Sequence, residues 1–305
     1  MNKYIIISLA SLIALLPAIF WFYIYRWLDK KDPEPKKAMI MSGVLGVVAT
    51  LPVFGLQLVF DNFPELNFMK VVQASINNPV TFSIFFLIFV AVLEELVKAI
   101  STIIATEKYR TEFNQVVDGI VYAASVALGF SFAENIYYFY IAVQALGFGT
   151  DFLAVYSIRS LGTMLGHTIF TGIFGFYYAK AYLAKYVETA VNKKRAWHGL
   201  HKNLKHALKF KATRNILFTK NHHSYEYDHP GIIILEGYFI AVLLHFIYNF
   251  LIKIELFGRS WTFLIVPFLF IATWYVWHAF FVPLYTKVFK VSTTKDTSAL
   301  LKLQK

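Results

Sequence analysis

The chain has 305 residues, of which 58% are hydrophobic and 15% charged, with a mean hydropathy of +0.55. A soluble domain carries about 25% charged residues, so this composition excludes an ordinary soluble globular protein. The absence of cysteine excludes disulfides, a cysteine nucleophile and cysteine metal sites. The net charge of +11 suggests an anionic partner only until the charges are placed along the chain.

The first apolar run, Tyr4 to Tyr25, is too long for the core of a secretory signal and no small-x-small cleavage pattern follows it. It reads as a first anchor. Further runs of bilayer length follow, and spans are expected at roughly 4–25, 38–60, 81–104, 116–143, 152–184, 231–256 and 262–285. The fifth exceeds about 20 residues, so it tilts or runs on into the cytoplasm. The expected fold class is all-α: a polytopic helix bundle of about seven transmembrane helices in the cell membrane. A single transmembrane domain covers 1–286, interrupted by a loop at 185–230 and followed by a cytoplasmic tail at 287–305.

The connections alternate in charge. The first carries Arg26, Lys30, Lys31, Lys36 and Lys37, whereas 61–80 carries only Lys70. Lys108 and Arg110 come next, then 144–151 with neither Lys nor Arg, then ten in 185–230, Arg259 alone in 257–261, and five in the tail. With seven spans all the basic segments fall on one side, which puts the N-terminus outside and the C-terminus in the cytoplasm. The positive charge is thus accounted for by topology, and no nucleic-acid partner is expected. Within 185–230, Ala196, Trp197, Leu200, Leu204 and Leu208 recur near helical spacing among Lys and His, as in an amphipathic helix on the inner surface. Six of the nine histidines (198, 201, 206, 222, 223 and 229) lie there, in what reads as a solvated polar loop.

The third span holds Glu94-Glu95-Leu96-Val97-Lys98. Three such charges cost about 8–10 kcal/mol on the insertion scale, against roughly 5–9 kcal/mol returned by apolar side chains, of which Phe82–Ile104 contains fifteen Leu, Ile, Phe or Val. The helix therefore inserts near break-even, and charges retained at that cost point to a role. Glu94 and Lys98 share a face at i,i+4, with Glu95 near Lys98 at i,i+3. Lys98 can neutralise one carboxylate, and the other is then a candidate general base for deprotonating water; the competing reading is a structural ion pair between helices.

The fourth span adds Glu134 and Asn135, the fifth Arg159 and His167 with Thr171 one turn on, the sixth His245 with Asn249 at i,i+4. Glu94, Glu134, His167 and His245 all fall near the middle of their spans, and buried polar groups at one depth tend to face a common interior or a hydrated cavity. There is no H-E-x-x-H pair for a zinc protease. Nor is there a G-x-S-x-G elbow, since Gly129-Phe130-Ser131 lacks the second glycine.

Taken together, Glu94-Glu95-x-x-Lys98, Asp118-Gly119-Ile120-Val121-Tyr122, Gly129-Phe130-x-x-x-Glu134-Asn135, Arg159 with His167, and His245 in Leu-Leu-His resemble the PrsW family of intramembrane proteases. The Asp-Pro-Glu-Pro at 32–35 fits as well, so the likeness runs in order from about residue 26 to 252. That family is distantly similar to the CAAX-type membrane proteases, with their paired glutamates and later histidine. The resemblance implies a peptidase that cuts a membrane-anchored protein near the membrane surface; in the family's best-known role the substrate is an anti-sigma factor. It further implies that Glu94 and Glu95 are the essential glutamate pair, that His167 is an essential histidine, and that Glu134 and His245 fill the remaining polar positions. Segment 185–230 departs from the pattern by its length.

The expected chemistry is water-mediated peptide hydrolysis in a hydrated intramembrane cavity, with Glu94 or Glu95 as base and Lys98 paired to the other. His167 and Glu134 orient the water or protonate the leaving amine, and His245 with Asn249 stabilises the oxyanion, although Asn249 serves equally well as a helix–helix hydrogen bond. Asp118 is placed to cap its helix or to bind Lys98, and Arg159 to pair with an intramembrane carboxylate. Two histidines and a glutamate from three helices could ligate zinc, leaving a second glutamate as base; a metal-free glutamate mechanism is the alternative. A proton-coupled transporter also needs ionisable residues at midplane, and a non-catalytic seven-helix receptor or scaffold is the second rival. A cleavage assay discriminates all three.

Overall fold

The computed structural model describes residues 2–29, 33–194, 230–253, 255–256, 259–260 and 264–276. In chain order these form α1 (Lys3–Leu28), α2 (Lys36–Asn62), a 3-10 turn (Pro64–Leu66), α3 (Phe68–Ser75), α4 (Pro79–Lys108) and α5 (Val116–Leu146). Then come α6 (Thr150–Ser157), a π-helical turn (Ile158–Thr163), α7 (Met164–Lys194), α8 (Pro230–Lys253), a two-residue antiparallel ladder pairing Glu255–Leu256 with Arg259–Ser260, and α9 (Ile265–Val276).

The helix ends follow local chemistry. Asn78 accepts hydrogen bonds from the Val80 and Thr81 amides ahead of Pro79, a side-chain cap with proline in the first turn. Gln115 and Asp118 form a reciprocal capping box at the start of α5, and α5 stops at Gly147, whose φ of 67° favours glycine. Asp118 therefore caps its helix, taking the Asn114 and Gln115 amides at 2.8 and 2.6 Å, rather than binding Lys98.

Among the described residues five helices (α1, α2, α4, α5 and α8) are long and apolar enough to cross a membrane, and α9 is a shorter apolar helix. This is a helical membrane bundle, as expected. Two features depart from the expected spans. The connection 61–80 is not plain loop: it contains α3, which buries Met69 and sets Phe68 edge-on against Phe60 and Phe89. Eight residues are too few for a periodic signal to stand out. The fifth span is not one regular helix, since a π turn interrupts it, although it does run on past 184, α7 continuing to Lys194. The amphipathic helix expected around Ala196–Leu208 and the tail 287–305 lie outside the described residues.

α5 is the central helix, with every residue from Val116 to Ser131 buried. It packs against α1, α2, α4 and α7, and small residues let the backbones close up. A Cβ on Gly129 would lie 1.8 Å from the Gly43 carbonyl oxygen of α2, and one on Gly119 would lie 2.3 Å from that of Gly175 on α7. Beneath this junction the α1–α2 connection is tied down. Asp29 Oδ2 accepts from the Glu34 amide at 2.8 Å, Arg26 donates to the Glu34 carbonyl at 2.9 Å, and the Tyr122 hydroxyl donates to Glu34 Oε2.

Candidate active site

The polar residues of four helices meet in one buried cluster. α4 supplies Glu94, Glu95 and Lys98, α5 supplies Glu134 and Asn135, the π turn supplies Arg159, α7 supplies His167 and Thr171, and α8 supplies His245. Glu94, Glu95, Lys98, His167, Thr171 and His245 are all buried. The helical spacing of Glu94, Glu95 and Lys98 is what lets one ammonium serve two carboxylates. Lys98 Nζ donates to Glu95 Oε1 at 2.8 Å and to Glu94 Oε2 at 3.4 Å.

Its third proton points across the bundle, with Nζ 2.8 Å from His167 Nδ1. A protonated lysine has no lone pair, so Nδ1 is the acceptor and the His167 proton sits on Nε2, which donates to Glu134 Oε2 at 3.2 Å. The ammonium also lies 4.3 Å over the Phe130 ring, a favourable seat for a desolvated cation.

His245 is oriented by the same logic. Its Nδ1 is 2.9 Å from Glu95 Oε1 and donates to it, which leaves Nε2 as the acceptor, facing Glu94 Oε2 at 3.8 Å. The two imidazoles meet edge to face with centroids 4.9 Å apart, and Phe170 stacks on His245. Each ring therefore has a carboxylate on one nitrogen, a second tier that fixes tautomer and orientation.

The adjacent glutamates differ sharply. Glu95 accepts from Lys98 and His245 at Oε1 and from Thr171 Oγ1 at 2.9 Å at Oε2, so both oxygens are occupied. Among the described residues Glu94 has only the long Lys98 contact and the 3.8 Å approach of His245. Adjacent residues on a helix point about 100° apart, and here that difference separates a sealed carboxylate from one with acceptor capacity to spare. Across the cluster three carboxylates face two cations, since Arg159 Nη2 lies 2.8 Å from Glu134 Oε2.

Thus the cluster contains Glu94, Glu95, Glu134, His167 and His245, together with Lys98, Asn135 and Arg159. Asp118 is at the far end of α5, and Asn249 makes no hydrogen bond among the described residues. Its neighbour Tyr248 instead reaches Thr163 Oγ1 at 2.9 Å. The residue whose part sequence reasoning did not assign is Thr171; its place one turn from His167 puts it on the same face, but no pattern tied it to Glu95. Ligating atoms of Glu94, His167 and His245 lie within 4.8 Å of one another. By donor type this glutamate and two histidines fit a Zn2+-class ion.

A family model described as PrsW family intramembrane metalloprotease matches residues 34–220. The chain is 32% identical over 167 residues to "Protease PrsW" of Bacillus subtilis, covering 54% of this chain and 65% of that relative. It is 29% identical over 156 residues to "Protease PrsW" of Geobacillus kaustophilus, 51% of this chain and 59% of the relative. Against "Protease PrsW" of Oceanobacillus iheyensis it is 29% identical over 157 residues, 52% of this chain and 62% of the relative. The matched stretch thus spans less than two thirds of each of these relatives. No solved structure matches the chain.

Proposed function

The chain belongs to the PrsW family of intramembrane metalloproteases, and from that premise we propose that it hydrolyses a peptide bond of a membrane-anchored protein, using water held between Glu94 and His245. The observation that carries this reading is the asymmetry of the glutamate pair. Glu95 has both oxygens engaged, whereas Glu94 Oε2 faces the free Nε2 of His245 across 3.8 Å. One water molecule can hydrogen-bond to both atoms at that separation.

In this reading Glu94 takes a proton from the water, and the oxygen attacks the scissile carbonyl carbon. The C–N bond then breaks as the leaving amine takes a proton from the Lys98–His167 pair, joined at 2.8 Å. Glu95 is the fixed partner that aims His245, and Glu134 does the same for His167. Release of the cut segment removes a tether from the membrane, the chemistry that regulated proteolysis of an anti-sigma-factor-like substrate requires.

Glu94, His167 and His245 are the residues that would hold a Zn2+-class ion, which supplies Lewis-acid polarisation of the scissile carbonyl when bound. The outer carboxylates on both imidazoles suit this version, which requires Lys98 to give up its place beside His167 Nδ1. With Glu94 committed to the ion, the proton acceptor has to be a second glutamate, and because both oxygens of Glu95 are engaged that falls to Glu134.

The test is cleavage of single-span reporter substrates by the purified protein in bilayers. Glu94→Gln and His167→Ala are expected to stop cutting while the protein stays in the membrane. Cleavage that persists in both variants, or a wild-type protein that cuts no reporter while moving protons or solutes across the vesicle, would overturn the peptidase reading. Activity retained after complete metal removal would eliminate the metal version alone.

A further inference from the structure

The π turn Ile158–Thr163 breaks an otherwise continuous helix from Thr150 to Lys194. Such turns are rare, carry one extra residue per turn and concentrate at functional sites. This one is braced on three sides. From α1, Trp21 Nε1 donates to the Ser160 carbonyl at 2.9 Å. From α8, the Tyr248 hydroxyl bonds Thr163 Oγ1 at 2.9 Å. Towards α5, Arg159 sends its guanidinium onto a single turn of helix. Nε donates to Asn135 Oδ1 at 2.7 Å, Nη2 lies 2.8 Å from Glu134 Oε2, and the guanidinium carbon sits 3.8 Å over the Tyr138 ring.

The carboxylate oxygen that Arg159 holds is the one that His167 Nε2 donates to, at 3.2 Å. In an uninterrupted α-helix the eight-residue step from Arg159 to His167 would leave them about 80° apart around the axis. The wider π turn advances fewer degrees per residue and so reduces that offset, letting both side chains of one helix converge on one oxygen of another. A planar guanidinium can grip Asn135 and Glu134 at once, which a lysine ammonium cannot reproduce.

We propose that the π turn is a built orienting device: it brings Arg159 onto the face of His167, where Arg159 fixes Glu134 and Glu134, through the Nε2–H hydrogen bond, fixes the orientation of the ring whose tautomer Lys98 sets at Nδ1. Arg159 is a positioning residue that acts through Glu134, and the proposal rests on the reading of His167 as part of the proton-transferring machinery. Because Arg159 touches neither His167 nor water in this scheme, its removal lowers turnover and leaves substrate binding in place.

The experiment combines reporter cleavage in bilayers with 15N NMR of histidine-labelled protein, in which a His167→Gln variant identifies the His167 signals. Arg159→Met is expected to lower kcat by about 10–100-fold, the usual cost of losing an outer-tier partner, with KM changed less than about threefold and the 15N signal of His167 Nε2 shifted from its wild-type position as the hydrogen bond to Glu134 loosens. Arg159→Lys should recover only part of the loss. The double variant Arg159→Met/Glu134→Gln, which leaves no unpaired carboxylate and guards against misfolding of the single variant, should be no slower than Glu134→Gln alone. Losses that multiply in the double variant, or a His167 Nε2 signal indifferent to Arg159, would overturn the proposal. If the wild-type protein cuts no reporter yet its His167 Nε2 signal depends on Arg159, the orienting device stands and the peptidase reading falls.

Discussion

Thr171 Oγ1 donates to Glu95 Oε2 at 2.9 Å, and with that contact the second of two adjacent carboxylates has no oxygen left for water. The two glutamates should therefore fail in different ways. Glu94→Gln keeps the shape of the site and removes the acceptor, so turnover falls by about 10²–10⁴-fold, the usual worth of a general base, with the melting temperature nearly unchanged. Glu95→Gln leaves Lys98 with only its 3.4 Å partner among the carboxylates and should cost about 3–5 kcal/mol of stability, as breaking a buried pair does. Thermal unfolding in detergent beside reporter cleavage separates the two, and equal melting temperatures for both variants would contradict this division of labour.

The α2–α5 junction predicts a steric contrast within one residue type. Gly129→Ala would put a methyl 1.8 Å from the Gly43 carbonyl oxygen, a backbone atom that cannot swing aside. Overpacking of this kind costs about 1–3 kcal/mol or more, here by prising α2 away from α5, the helix that carries Glu134 and Asn135. Gly55→Ala, on the same α2 but with nothing within 4 Å, should be neutral or slightly stabilising, as alanine for glycine is in a helix. Melting temperatures of the two variants check this directly.

Below the bundle, burial pushes the Glu34 carboxyl up from its ordinary 4.5 to about 7, against the lowering effect of its hydrogen bond from Tyr122. Asp29 and Glu112 add to the rise by charge, whereas a hydrogen bond with Asp118 opposes it. A raised folded-state value means that the neutral acid is the form the fold prefers. Its stabilising contribution is fully present below pH 4.5 and is lost as pH climbs through about 7. Glu34→Gln keeps a neutral hydrogen-bonding side chain and cannot ionise. The difference in melting temperature between wild type and variant should therefore move in the variant's favour as pH rises from about 5 to 8. A difference that stays constant over that range would show that Glu34 is not held in its neutral form.

Much of this arrangement was legible in the chain because the bilayer penalises charge so heavily. Glu94, Glu95, Lys98, Glu134, His167 and His245 stand out in apolar runs, and their matching depth along each helix foretold that they would meet. The i,i+4 spacing also gave the Glu94–Lys98 face. What the sequence could not provide was rotation about each helix axis. Nothing in it says that Glu95 turns toward Thr171 while Glu94 turns toward His245 Nε2, or that Asn249, one turn from His245, joins no polar partner among the described residues while Tyr248 braces the π turn. The π turn itself leaves no periodic trace, since six residues of altered winding are lost within a long apolar run.

Lys98 offers a test of the charge balance. Its ammonium is completely buried and lies 2.8 Å from Glu95 Oε1, 2.8 Å from His167 Nδ1 and 3.4 Å from Glu94 Oε2, so a cation already occupies the centre of the cluster. Lys98→Met removes it and leaves the buried Glu94 and Glu95 and the partly buried Glu134 facing Arg159 alone, an arrangement that low-dielectric surroundings strongly disfavour. A divalent ion bound by Glu94 and the two imidazoles would restore the balance, and anything that binds only the folded state raises its stability by mass action. The melting temperature of Lys98→Met should therefore drop steeply in chelator and recover on adding Zn2+, with about one ion per chain by elemental analysis. The wild-type protein, with the lysine as a resident cation, should respond to chelator much less. Equal sensitivity of the two proteins to chelator would mean that the ammonium and the ion do not share a seat, and that Lys98 serves the glutamate pair in some other way.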